Sequence, residues 1–181
     1  MRRSLGTSEE APRIEIAHMR RRHLRGVMAI ERAVYPRPWS PSLFLSEMSD
    51  EDTRTYLVTR VDKQIVGYAG MNCWSDEAHI TNVAVDPRWQ RRGIGTRLVW
   101  ELLRSAVVMD ARLVTLEVRV SNRGAQRLYE EFGFRPVGIR KNYYQEVNED
   151  ALIMWADGIQ RPEYQDTLAD IFDAMPGNLR S

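Results

Sequence analysis

The residues best suited to chemistry lie in the stretch VDPRWQRRGIGTRL, Val85 to Leu98. Two adjacent arginines, Arg91 and Arg92, stand directly ahead of Gly93-Ile94-Gly95. The apolar run ITNVAV before the loop predicts a buried strand. After it, Leu98, Val99, Leu102, Leu103, Ala106 and Val107 follow helical spacing. A strand, a loop rich in glycine and arginine, and a helix together turn backbone N–H groups, a helix dipole and cationic side chains toward an anion. Two common phosphate loops fail the test. A P-loop needs a lysine after its last glycine, and none is present. A dinucleotide fingerprint needs a third glycine, where Thr96 and Arg97 stand. Taken alone, the loop also reads as a glycine-rich turn with solvated arginines.

The 181 residues suit one domain with a short appendage, at 43% hydrophobic and 28% charged an ordinary globular composition. With 26 basic against 25 acidic residues, no overall field argues for nucleic acid. The single cysteine, Cys73, excludes an intramolecular disulfide and a cysteine-based zinc cluster, and reads as a small core residue. His18, His23 and His79 are not at metal-ligand spacing. No run approaches the ~18 apolar residues of a membrane span, and the N-terminus lacks the apolar core of a secretory signal. The expected compartment is the cytoplasm. The arginine-dense HMRRRHLRG reads as a solvated helix face, with an RNA or ribosomal contact as the alternative.

The elements that must position the loop alternate along the chain. RIEIAHM predicts a strand, Arg20 to Val34 a helix, and PSLFLSEM a short helix capped by Ser40. TYLVTRV and IVGYAGMNCW form a hairpin, followed by the strand HITNVAV, the loop and its helix. LVTLEVRV predicts a further strand. SNRGAQRLYEEFG predicts a helix capped by Ser121 or Asn122 and stopped by Gly133. FRPVGIRKNYY and DALIMWA close a final hairpin. Residues 1–12 read as disordered, 13–156 as the domain, and 157–181 as an extension. In that extension Tyr164, Leu168, Ile171, Phe172 and Met175 make one amphipathic face. Packing on its own domain is the expected use, with a partner or dimer contact as the alternative.

Gln90-Arg91-Arg92-Gly93-Ile94-Gly95 after NVAVDP resembles the acetyl-CoA pyrophosphate loop of the GNAT acetyltransferase superfamily. ERAVYPRPWS, LEVRVSN, LYEEFGF and IRKNYY with EDALIM follow in the order and spacing of its RimI-type ribosomal-protein alanine N-acetyltransferases and the related archaeal Nα-acetyltransferases. The resemblance implies an α/β (α+β) GNAT fold. That fold is a mixed, mostly antiparallel sheet of about seven strands with about four flanking helices, here extended by a C-terminal helix. It implies acetyl-CoA as acetyl donor, no metal, and the α-amine of a protein N-terminus as acceptor, a ribosomal protein being one candidate. Neither membrane nor nucleic acid is an expected partner, and the chain is expected as monomer or homodimer.

The same resemblance implies Glu117 as general base and Tyr129 as general acid, with an outward-facing strand residue and a core-packing ring as their alternatives, and Tyr143 or Tyr144 as phenols that could substitute for Tyr129. Partial burial is expected to raise the Glu117 pKa toward neutrality. Val83, Ala84 and Val85 are expected to bind the pantetheine arm through the backbone. Arg91, Arg92, Gly93, Ile94, Gly95 and Thr96 would hold the pyrophosphate. Asn122 is expected on the cofactor arm, with a simple helix cap as its alternative. Tyr35 and Trp39 are expected on one side of the acceptor groove, and Tyr143, Tyr144 and Glu146 on the other, with an ordinary aromatic shelf as the alternative. Asp86-Pro87 reads as a turn. Three other functions compete: transfer to a small amine or lysine side chain, a non-catalytic acetyl-CoA-binding regulatory module, and an RNA-binding protein.

Overall fold

The computed structural model describes residues 14–175. The segment 1–12, expected to be disordered, lies outside the described residues. Strands and helices run β1 (Ile14–His18), α1 (Leu24–Val34), α2 (Pro41–Glu47), β2 (Arg54–Val61), β3 (Gln64–Trp74), β4 (Glu77–Val85), α3 (Ile94–Val108), β5 (Leu113–Arg119), α4 (Arg123–Glu131), β6 (Arg135–Tyr144), β7 (Glu149–Asp157) and α5 (Pro162–Ala174). The strands form one mixed sheet in the order β1-β2-β3-β4-β5-β7-β6. Every neighbouring pair is antiparallel except β4 and β5.

Local chemistry sets the helix boundaries. Ser40 caps α2 by accepting from the Leu43 N–H at 3.1 Å, with Pro41 in the first turn. The helix expected from Arg20 opens instead as a 3-10 turn over Arg21–His23 and becomes α-helical at Leu24. Gly93 has φ of +77°, a left-handed conformation open to glycine, and this lets α3 begin at Ile94. Asn122 caps α4, and Gly133, at φ of +78°, comes just past its end.

Two apolar layers bury the sheet. On one face α3 contributes Ile94, Leu98, Val99, Leu102, Leu103 and Ala106, packed with Leu116, Phe132 and Met154. α5 joins this face: Leu168 is buried, Phe172 stacks on Trp100 at 4.6 Å, and the Tyr164 hydroxyl donates to the Phe132 carbonyl at 2.7 Å. On the other face Val27 and Ile30 of α1 and Phe44 of α2 cover Val58, Tyr68 and Ala84. Cys73 is buried on β3.

The consequential irregularity lies between β4 and β5. Their parallel pairing ends at Ile80 opposite Leu116. Beyond that point β4 pairs with β3 alone and β5 with β7 alone. A bulge at Thr81 falls at the same place, because Met71 pairs with Ile80 while Gly70 pairs with Asn82. A bulge bends its strand and increases the local twist, which turns β4 away from β5. The result is a wedge-shaped opening inside a continuous sheet.

Candidate active site

The opening leads into a cavity of about 420 Å³. Alternation along β5 aims its residues: Leu116 and Val118 enter the apolar core, so Glu117 projects from the opposite face. α4 comes directly after β5, fastened by Gln126, whose Nε2 donates to the Arg119 carbonyl at 2.9 Å and the Val120 carbonyl at 3.1 Å. Tyr129 of α4 lines the same cavity as Glu117. Tyr35 and Trp39, just beyond α1, line one side of the cavity; Tyr143, Tyr144 and Glu146 line the other. Val83 and Asn122 complete the set of expected residues that meet there.

Glu117 is held by two cations or donors. Its Oε2 lies 3.2 Å from His79 Nε2 and its Oε1 lies 3.1 Å from Arg140 Nη1. The hydrogen bond from His79 holds the carboxyl below its ordinary value of 4.5, with the imidazole and guanidinium charges helping and burial opposing. The expected rise is therefore corrected. Burial alone would raise this pKa, but two tertiary partners outweigh desolvation. Burial pushes the Tyr129 phenol above its ordinary pKa, and the Tyr144 hydroxyl adds to the shift.

The tyrosine wall is fixed by cations. The Arg119 guanidinium lies 4.9 Å from the Tyr144 ring centre and that of Arg140 lies 5.3 Å from Tyr143. The two rings meet edge to face at 5.1 Å, and Arg119 also approaches Glu146 at 3.7 Å. Burial pushes the Tyr144 phenol up to about 12. On the opposite wall burial likewise raises Tyr35, whose hydroxyl donates to the Val83 carbonyl at 3.4 Å.

The remaining predicted residues lie outside that cavity. Ala84 is buried against the α1 face, so only its backbone could meet a ligand. Val85 is tied by its carbonyl to Gln90 Nε2 at 3.2 Å. Arg91 to Thr96 come after β4 and enter α3, with Ile94 buried in the core. No side chain caps the N-terminus of α3. The Arg92 guanidinium lies 4.8 Å from the Trp89 ring centre, and no carboxylate pairs with Arg91 or Arg92 among the described residues. An uncapped helix start beneath a positive-φ glycine and two exposed arginines fits a diphosphate.

Asn122 does cap α4, accepting from the Ala125 N–H at 3.1 Å, and it also lines the cavity. Asp86 serves its turn, pairing with Arg88 at 2.7 Å. A wider depression of about 890 Å³, at the Leu113 end of β5, includes Arg112, Arg135 and Trp155 and none of the predicted residues. His79, Arg119 and Arg140 were missed by the sequence reading. No local signal marked them, because each meets the site through tertiary pairing: His79 from β4, Arg119 at the end of β5 and Arg140 from β6. Among the described residues, no group of three or more His, Cys, Asp or Glu is placed to hold a metal ion.

The model of the acetyltransferase (GNAT) family matches residues 24–134. The chain belongs to that family. A [ribosomal protein bS18]-alanine N-acetyltransferase of Salmonella typhimurium is 36% identical over 127 residues, covering 69% of this chain and 84% of the relative. An N-alpha-acetyltransferase RimI of Mycobacterium tuberculosis is 38% identical over 124 residues, covering 66% of this chain and 76% of the relative. The crystal structure of the ribosomal-protein-S18-alanine N-acetyltransferase from Escherichia coli superposes with a TM-score of 0.73 at 31% identity, over 81% of this chain and 94% of that one. The GNAT fold is thus a mixed seven-stranded sheet with five helices among the described residues. Among the described residues, no helix is long and apolar enough to cross a membrane.

Proposed function

We propose that this acetyltransferase moves the acetyl group of acetyl-CoA to the α-amine of a protein N-terminus, with ribosomal protein bS18 as the first candidate acceptor. The observation that carries the reading is the wedge between β4 and β5, where Glu117, Tyr129 and the unpaired edge of β4 meet under a wall of tyrosines. Bound acetyl-CoA supplies the acetyl group and a thiolate leaving group. Arg91, Arg92 and the backbone from Gly93 to Thr96 hold the pyrophosphate. Val83, Ala84 and Val85 hold the pantetheine arm through backbone groups on the β4 edge. A β4 N–H polarises the thioester carbonyl.

Glu117 takes a proton from the incoming ammonium, freeing the lone pair that forms the C–N bond. As the C–S bond breaks, Tyr129 gives its phenolic proton to the departing sulfur, and the second proton shed by the attacking nitrogen restores the phenol. The raised phenol keeps that proton in place until the thiolate forms. Tyr35 and Trp39 on one side, with Tyr143, Tyr144 and Glu146 on the other, seat the first residues of the acceptor. Asn122 orients the cofactor arm while capping α4. The compartment consistent with such an acceptor is the cytoplasm.

The test is a peptide library of free N-termini incubated with the enzyme and acetyl-CoA, read by release of free thiol. Turnover with N-terminal peptides, alanine-first among them, supports the reading. Turnover only with small amines contradicts it.

A further inference from the structure

β4 and β5 are still paired at His79 and Thr115, and their pairing ends with the next residue on each strand. Thr115 and Glu117 are two residues apart on one strand, so they share a face. The His79 ring spans both. Its Nδ1 lies 2.9 Å from Thr115 Oγ1 and its Nε2 lies 3.2 Å from Glu117 Oε2. The other oxygen, Oε1, is met by Arg140, which comes from the edge strand and is 55% exposed.

From this geometry we infer that His79 is a positioning residue for Glu117, donating from Nε2 to Oε2 so that Oε1 is the atom presented to the acceptor amine. The inference rests on the reading of Glu117 as the base. An ionised carboxylate opposite Nε2 requires the proton on that nitrogen, and Nδ1 then accepts from the Thr115 hydroxyl. The carboxylate sets the tautomer, and Thr115 fixes the orientation of the ring by pairing with Nδ1. The Arg140 contact is exposed and replaceable, so an arriving amine can take its place at Oε1.

The Glu117 side chain is only 9% exposed, and an unpartnered oxygen there would favour the protonated acid. The groups facing Glu117 are His79 from β4 and Arg140, Tyr143 and Tyr144 from β6. Behind the ring, Glu77 Oε1 lies 3.4 Å from Thr115 Oγ1. Removing the His79 donor leaves desolvation less opposed, so the Glu117 carboxyl must titrate at higher pH.

The experiment tracks the Glu117 carboxyl by ¹³C NMR in the full chain, a readout that needs no acceptor and no turnover. His79→Leu should raise its titration midpoint by about one pH unit or more. His79→Gln, which keeps an N–H donor, should restore most of the wild-type midpoint. In the acetyl-transfer assay, log kcat/KM against pH should steepen from a slope of about one to about two below the new midpoint, as base and amine both titrate. The KM for acetyl-CoA should not move.

An unchanged midpoint in His79→Leu overturns the inference, as does an equal rise in His79→Leu and His79→Gln. If His79→Leu does not fold, Thr115→Val reads the same contact: a smaller upward shift supports the inference and none overturns it. Failure of the proposed function would appear separately, as a wild-type enzyme without peptide turnover and a normal NMR response.

Discussion

The cavity has two buried carboxylates on opposite walls, and they are tuned in opposite directions. On the sheet wall, His79 and Arg140 hold Glu117 below its ordinary pKa. On the helix wall Glu31 of α1 is 1% exposed, and burial pushes its carboxyl up. Glu31 accepts from the Tyr68 hydroxyl at 2.5 Å and from the Trp39 backbone N–H, but its Oε2 has no partner among the described residues. Burial is common to both groups. The difference between them is the charge of the partners: a neutral phenol on Glu31, an imidazole and a guanidinium on Glu117. The same residue type is therefore an ionised base candidate on one wall and an anchor for the Trp39 loop on the other.

The largest expected effect falls on Glu117. Glu117→Gln keeps the size of the side chain and should lower turnover by about 10²–10⁴-fold with little change in acetyl-CoA affinity. Glu31→Gln keeps an oxygen to accept from the Tyr68 hydroxyl, and should leave turnover nearly unchanged. Comparable losses in the two variants, measured by thiol release, would erase the distinction. Tyr129→Phe removes only the hydroxyl and should slow turnover with the fold retained, because leaving-group protonation is lost while the ring still packs on Phe134.

Two further variants separate donor from acceptor recognition. Gly93→Val forces a β-branched residue into a left-handed conformation, at roughly 1–2 kcal/mol of strain, and should weaken acetyl-CoA binding by calorimetry. Trp39→Ala should raise the peptide KM while the KM for acetyl-CoA stays put, since Trp39 packs on Phe44 at 5.3 Å away from the loop.

The smallest effect is on stability against pH. A depressed folded pKa stabilises above the unfolded value, so the contribution of Glu117 is present at neutral pH. It is lost as pH falls below 4.5 through the folded value. Glu31 has the opposite sign, because its folded pKa is raised. Its proton-linked contribution is full below 4.5 and fades as pH rises through the folded value. Thermal melts should show Glu117→Gln less stable than wild type at neutral pH and converging on it at acid pH, and Glu31→Gln matching wild type at acid pH and gaining on it as pH rises through the raised folded value.

The loop and the helices were legible in sequence because their signals are local. Gly93 needs a positive φ, Ser40 and Asn122 cap the helices they precede, and the apolar stripe of α3 is spaced for burial. The amphipathic face of the last helix likewise pointed to Leu168 and Phe172, which pack on the α3 side. The direction of the Glu117 shift was not legible. Its causes, His79 and Arg140, come from two other strands, and neither hydropathy nor spacing records which pair will meet. The divergence of β4 from β5 was hidden for a similar reason: both strands read as continuous apolar runs, while the bulge at Thr81 arises from pairing with β3. Asn122 shows a third case, in which a cap and a cavity residue are the same side chain and spacing alone reveals only the cap.

Transfer to a protein α-amine, rather than to a lysine side chain, can be read from where the acetyl group lands. A peptide carrying both a free N-terminal alanine and an internal lysine is incubated with the enzyme and acetyl-CoA, and fragment-ion mass spectrometry locates the modification. The expected product carries one acetyl group, on the N-terminal nitrogen, and far less of it forms with Glu117→Gln. Acetylation of the lysine side chain with the α-amine left free would contradict the proposed function.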